Sequence, residues 1–170
     1  MKKLQVGLIG CGVMGRKLAQ SLDEVEGAKL VRVCDVSEDA ATELGRHLSV
    51  SHTTDIEAVL SEQDIEAVII APPPFQHRPM CVAAAQAGKH IFVEKPLAPT
   101  VEDCDAIIDA ASKASIKLMV GFVCRYHAIH RQVKNMVDDG QIGRPLYVFV
   151  YRISAKLGRA HQTAWRTKRH

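Results

Sequence analysis

The run Gly10-Cys11-Gly12-Val13-Met14-Gly15 constrains this chain more than any other feature. It stands between a nearly continuous apolar stretch, Leu4–Ile9, and helical spacing at Met14, Leu18 and Leu22. A strand buried on both faces reads as such an apolar stretch, and glycines at its end allow a tight turn directly into a helix. Lys29–Asp35 then supplies a second β-branched run, which completes a unit of strand, helix and parallel strand. Three glycines in that spacing recur by chance; their position between a strand and a helix gives them meaning.

The alternation continues along the chain. Ser37 is a candidate N-cap for a helix starting near Glu38, and a weak strand near Ser49–His52 precedes a helix near Asp55–Leu60. Glu66–Ala71 is the fourth strand, and Pro72-Pro73-Pro74 forces a turn because proline cannot continue a ladder. The helix carrying Met80, Ala83, Ala84 and Ala87 closes at Gly88, and His90–Val93 is the fifth strand. Thr100 with Asp103 resembles a capping box ahead of Cys104, Ile107, Ile108 and Ala111, an amphipathic helix. Lys117–Val123 reads as a sixth strand, and Ile129, Val133, Met136 and Val137 mark a further helix ended by Gly140. Leu146–Ile153 reads as a strand without an evident partner, and so as an adhesive edge. Strands alternating with helices imply a doubly wound parallel α/β sheet of the Rossmann type over residues 1–123. Residues 124–170 then form a connecting helix and the first strand of an incomplete α+β domain.

In this setting the glycine run predicts a dinucleotide cradle. Gly10 permits the turn, Gly12 lets backbone approach a pyrophosphate, and Gly15 lets helix pack on strand, with Cys11, Val13 and Met14 completing the loop. Asp35 follows Gly15 by twenty residues and is placed to accept hydrogen bonds from the adenosine ribose diol. A carboxylate there repels a 2′-phosphate, and no arginine follows it closely. NAD is therefore favoured over NADP, unless an arginine distant in sequence folds against the site. Glu94-Lys95-Pro96 falls at the end of the fifth strand, on the edge where open α/β sheets bind ligands. A lysine beside a nicotinamide can hydrogen-bond a reacting hydroxyl and relay its proton; a solvated turn lysine is the plainer alternative.

Composition narrows the partners. The formal charge is +3, but Ser154–His170 holds five basic and no acidic side chains, which leaves 17 basic against 19 acidic side chains, a net −2, on residues 1–153. That body is no polyanion binder, so no nucleic-acid partner is expected. No stretch approaches membrane-spanning length, and no membrane association is expected. Five scattered cysteines without a C-x-x-C pair fit reduced thiols and a cytoplasmic location. His127 with His130, and His77 with Cys81, have helical spacing but no third ligand, so no metal site is expected.

The segments GLIGCGVMG, the Cys34-Asp35 strand end, the proline turn with Gln76-His77, AAQAGKHIFVEKPLA and VGFVCRYH together resemble the Gfo/Idh/MocA oxidoreductases over nearly the whole chain. The resemblance implies NAD(P)-dependent dehydrogenation or reduction of sugars, inositols and related polyols, with Lys95 matching the catalytic lysine. It also implies that Ala71, Pro72, His77, Glu94 and Arg125 line the cofactor or substrate cleft, and that Trp165-Arg166 matches a pair which in some members reaches back to the cofactor. Family members are longer, are expected to be homo-oligomers, and carry a later glycine run and an Asp-x-x-x-His motif that this sequence does not contain. The expectation is therefore an N-terminal part of such an enzyme, or a dinucleotide-binding module without turnover.

Overall fold

In the computed structural model, which describes residues 2–151, the first strand β1 (Leu4–Ile9) leads through the glycine turn into α1 (Val13–Asp23) and returns as β2 (Ala28–Cys34). There follow α2 (Glu38–Leu48), β3 (Ser51–Thr53), a single turn α3 (Glu57–Leu60) and β4 (Ala67–Ile70). A 3-10 turn at Pro74–Gln76 opens α4 (His77–Gln86), followed by β5 (His90–Val93), α5 (Val101–Lys113) and β6 (Leu118–Val120). All six strands are parallel, in the order β3-β2-β1-β4-β5-β6. The chain thus winds outward twice from the centre, and the winding direction reverses between β1 and β4.

Both faces of the sheet are covered at its centre, which is why strands such as β4 read as unbroken apolar runs, whereas the edge strand β3 is polar and largely exposed. Along β4, Val68 and Ile70 join one core with Cys81, Ala84 and Ala85 of α4 and Ile107 of α5. The alternate residue Ile69 joins the other core, with Leu8, Ala19 of α1 and Leu44 of α2. One four-residue strand therefore serves two hydrophobic layers.

Local chemistry sets the helix ends. The Ser37 side chain accepts from Ala40 N–H at 3.3 Å and the Thr100 side chain from Asp103 N–H at 3.2 Å, as the capping signals predicted. Only half of the capping box forms at Thr100. The Asp103 carboxylate instead accepts from Arg78 at 2.8 Å, which ties α5 to α4. Gly88, at φ +71°, closes α4 as expected.

β6 ends three residues earlier than the apolar run does. Gly121 N–H still donates to Val93 at 2.8 Å, but Phe122 N–H donates to Val120 at 2.7 Å in a turn, and a 3-10 segment, Val123–Tyr126, begins. The first compact unit ends at Phe122 and a second begins at Val123. Within the second, α6 (Ala128–Asp138) buries no residue, and Ile129 and Val133 stay exposed.

The strand expected at 146–153 is not formed over residues 146–151; Arg152 and Ile153 lie outside the described residues. A strand is defined by its hydrogen-bonded neighbour, and no neighbouring strand is present there among the described residues. The period-2 pattern nevertheless survives in side-chain contacts. The rings of Tyr147 and Phe149 stack with centroids 6.2 Å apart, and those of Phe149 and Tyr151 meet edge-on at 4.4 Å.

Candidate functional site

The site is built where the winding reverses, at the carboxyl ends of β1, β2, β4 and β5. Gly10 leaves β1 at φ +99°, with its N–H donating to the Cys34 carbonyl at 2.8 Å. A Cβ here would lie 2.7 Å from the Pro72 nitrogen, so the turn after β1 is packed against the turn after β4. Gly15 is glycine for a second reason. A Cβ on it would stand 1.8 Å from the Gly10 carbonyl oxygen, which no side chain can occupy. Gly12 differs from both, because a Cβ there would meet nothing within 4 Å. The protein's own packing does not require glycine at that position, which leaves the space above the loop open to a ligand.

Gly12 is also the N-cap of α1, and it provides no capping side chain; the first turn holds no acidic residue. α2 and α5 have both a side-chain cap and acids in the first turn. An uncapped helix start with an open approach suits an anion such as a pyrophosphate, which takes up the leading N–H groups and meets the positive end of the helix dipole.

Asp35, just past β2, clamps this loop. Its Oδ2 accepts from Cys11 N–H at 2.7 Å and its Oδ1 from Ser37 N–H at 2.9 Å. The carboxylate joins the turns after β1 and β2, and each oxygen retains a lone pair for a ribose hydroxyl. On the carbonyl side of the same residue, Arg16 Nε donates to the Cys11 carbonyl at 3.1 Å, while its Nη2 pairs with Glu43 of α2 at 2.6 Å. That hydrogen bond is the main cause that raises the Arg16 guanidinium above and lowers the Glu43 carboxyl below their ordinary values. Sequence reasoning missed both residues; the signal was an arginine directly after the third glycine.

Cys11 itself is buried, and burial, with the Asp35 charge second, pushes its thiol up to about 12. Burial likewise pushes Cys34 up to about 11 and Cys81 up to about 12. The cysteine in the glycine loop is a packing residue and stays a neutral thiol. All five cysteines are free.

Ala71 N–H continues the ladder to the Ile9 carbonyl at 2.8 Å, and Ala71 and Pro72 are half-buried beside Gly10. His77 is wholly buried. Its Nε2 lies 3.1 Å from the Pro72 carbonyl, and its Nδ1 lies 2.9 Å and 3.1 Å from those of Pro96 and Leu97. Every partner is a backbone carbonyl, which only accepts, so the ring donates through whichever nitrogen carries the proton and packs its other edge against the second turn. It ties the turn after β4 to the turn that carries Lys95. The resemblance implies a cleft-lining histidine; the ring is wholly buried between those two turns.

Glu94 closes β5 and is buried, with Oε2 accepting from Lys95 N–H at 3.1 Å. Its Oε1 is buried with no hydrogen-bond partner among the described residues, and a Cβ on Gly121 would come within 3.2 Å of it. An orphaned buried acceptor costs about 1–3 kcal/mol and calls for a donor from a ligand or water. Lys95 is exposed on the same sheet edge and precedes a cis peptide bond to Pro96. Arg125 lies in the 3-10 segment of the second unit. Trp165 and Arg166 lie outside the described residues.

No group of three or more His, Cys, Asp or Glu side chains placed to hold a metal ion occurs among the described residues. A groove between α4 and α5, lined by Arg78, Val82, Ala83, Ala110 and Lys113, contains none of the strand-end residues described above. No described helix is long and apolar enough to cross a membrane.

Comparison with known proteins bears on this arrangement. A family profile described as an oxidoreductase family with an NAD-binding Rossmann fold, Gfo/Idh/MocA, matches residues 4–122. The inositol 2-dehydrogenase of Salmonella typhimurium is 36% identical over 152 residues, covering 85% of this chain and 44% of that protein. The 2,7-anhydro-N-acetylneuraminate hydratase of Mediterraneibacter gnavus is 33% identical over 147 residues, covering 86% of this chain and 39% of that one. Among solved structures, the WlbA dehydrogenase of Bordetella pertussis in complex with NADH and UDP-GlcNAcA superposes with a TM-score of 0.81 at 27% identity, over 84% of this chain and 42% of that one. A variant of a 3-ketoreductase from Actinomadura kijaniata, in complex with TDP-benzene and NADP, gives 0.77 at 26% identity, over 84% and 44%. The chain spans less than half the length of these relatives.

Proposed function

The chain belongs to the Gfo/Idh/MocA oxidoreductase family, and on that premise we propose that it holds NAD at the carboxyl edge of its sheet to oxidise a hydroxyl of a sugar or inositol-like polyol. The observation that carries the reading is the open Gly12 position over an uncapped α1, with Asp35 clamped beside it. When bound, the nicotinamide supplies a hydride acceptor. The chain's own residues do the rest. Gly12 and the first turn of α1 take the pyrophosphate, and Asp35 accepts from the adenosine ribose diol. Ala71, Pro72 and Glu94 stand on the nicotinamide side of the cleft, where the unpaired Glu94 Oε1 suits a hydroxyl or amide donor. Lys95 hydrogen-bonds the reacting hydroxyl and relays its proton as the hydride leaves the same carbon. Arg125, Trp165 and Arg166 are the further contacts that the family resemblance suggests.

A polyol substrate is supported by the inositol 2-dehydrogenase likeness at 36% identity. A cytoplasmic location fits the five free thiols, and assembly of the complete enzyme as a homo-oligomer fits the exposed apolar side chains of the second unit. A second reading, a module that binds NAD without turning substrate over, is favoured by one observation. Leu146–Tyr151 are exposed and have no sheet partner among the described residues.

Titrating the 170-residue chain with NADH by fluorescence, then assaying it with NAD and a polyol panel, tests both readings. Saturable NADH binding with turnover supports the dehydrogenase, binding without turnover supports the module, and absence of binding overturns the cradle.

A further inference from the structure

The Arg16–Glu43 pair stands outside the roles assigned above, yet it sits against the same loop residue, Cys11, that Asp35 clamps. Asp35 holds the Cys11 N–H at 2.7 Å, and Arg16 holds the Cys11 carbonyl at 3.1 Å. The guanidinium, which feels the Asp35 charge, is on the Asp35 side of the loop, where the reading above puts the adenosine ribose. An arginine there is what a 2′-phosphate requires, because its planar fork binds phosphate oxygens two at a time. In this chain Nη2 of that fork is already paired with Glu43 at 2.6 Å, and Nε with the Cys11 carbonyl at 3.1 Å.

We propose that Glu43 is a cofactor-specificity residue: by holding Arg16 in an ion pair, it withholds from a 2′-phosphate the cation nearest the cradle, and so restricts the site to NAD(H). The proposal rests on the reading of the cradle as a dinucleotide site. Charge accounting supports it. Two carboxylates, Asp35 and Glu43, and one guanidinium, Arg16, give the corner a formal charge of −1. A phosphomonoester carries about −1.5 to −2 at neutral pH, so it meets net repulsion from a corner whose arginine is already paired. Removing Glu43 brings the corner to zero, and removing Asp35 as well brings it to +1 with Arg16 released. Glu43 is suited to this because it is exposed on α2, where its side chain carries no packing duty. Asp35 discriminates by its own charge; Glu43 discriminates by occupying the counter-charge.

The test compares dissociation constants of NADH and NADPH, by fluorescence titration at fixed low salt, for the native chain, Glu43→Ala, Asp35→Ser and the double variant. Alanine is the best helix former and Glu43 is exposed, so Glu43→Ala keeps the fold; matching thermal melts check this. The expected result is that Glu43→Ala shifts the NADPH-to-NADH affinity ratio toward NADPH by about tenfold, in either background, as one released charge-assisted contact implies. Adding Arg16→Ala to the double variant should abolish that gain. An unchanged ratio on Glu43→Ala, with NADH still bound, overturns the proposal and leaves the cradle intact. A gain that survives Arg16→Ala also overturns it, since the released arginine is then not the contact. Failure of the native chain to bind NADH overturns the dinucleotide reading itself, and this proposal with it.

Discussion

The Cys11 backbone N–H donates to Asp35 Oδ2 at 2.7 Å, joining the turn after the first strand to the end of the second. One carboxylate thus shapes the glycine loop and, in the binding mode proposed above, presents acceptors to the ribose. Affinity and local stability are coupled at that atom.

Asp35→Ala should therefore weaken NADH binding by at least tenfold and lower stability by about 1–3 kcal/mol, since two backbone N–H groups lose their acceptor. Asp35→Asn, which retains one carbonyl acceptor, should restore part of the stability. Parallel fluorescence titrations and denaturant melts separate the two effects; a variant with native affinity shows that Asp35 does not meet the cofactor.

Gly12→Ala and Gly15→Ala should behave oppositely. The first adds a methyl group to open space at φ −70°, so stability should change by less than about 1 kcal/mol while NADH affinity falls. The second forces a Cβ to within 1.8 Å of the Gly10 oxygen and should unfold or severely destabilise the chain. Unimpaired NADH binding by Gly12→Ala contradicts the idea that ligand backbone approaches there.

His77→Ala removes a wholly buried ring whose nitrogens face three part-buried carbonyls, leaves a void, and should cost about 3–5 kcal/mol in urea unfolding. His77→Gln, which can donate to one of the two turns, should recover part of that loss. In a chain that turns substrate over, His77→Gln should lower kcat more than it raises KM, because it disturbs the turn carrying Lys95. Equal stability of the native and alanine chains rejects the tie between the two turns.

The thiols of Cys11 and Cys81 titrate near 12 in the folded chain, against an ordinary value of 9.0, because burial penalises the thiolate. A proton held more tightly by the folded state contributes stability in full below pH 9, and that contribution is lost as pH rises from 9 toward 12. Urea midpoints measured from pH 8 to 10.5 should fall, and fall less steeply in Cys81→Ala. At pH 8 a thiol reagent should modify exposed Cys124 first and leave Cys11 and Cys81 unmodified until denaturant is added.

Tyr147, Phe149 and Tyr151 form an exposed row of rings, with relative exposures of 79%, 62% and 78%. Sedimentation should show concentration-dependent self-association that Phe149→Lys reduces. A monomer at high concentration argues against an adhesive surface.

The central strands were legible because both their faces are buried. Val68, Ile69 and Ile70 are all apolar because alternate residues enter different cores. Short-range caps were legible too, since Ser37 and Thr100 bond backbone three residues ahead. The end of β6 was not, because Val123 is as apolar as Val120 and only the neighbouring strand decides where pairing stops. The role of His77 was equally hidden, since its partners stand 19 and 20 residues further along the chain.

For the glycine loop, the sequence by itself determined the strand, turn and helix and the position of Asp35, because those depend on local backbone geometry and on spacing. Only the tertiary structure decided that Gly12 opens to empty space while Gly10 and Gly15 are packed tightly. It alone decided, too, that Arg16 is bound by Glu43 from a different helix. Contacts between elements depend on how twisted strands bring their ends together, and no local pattern of residue types records that.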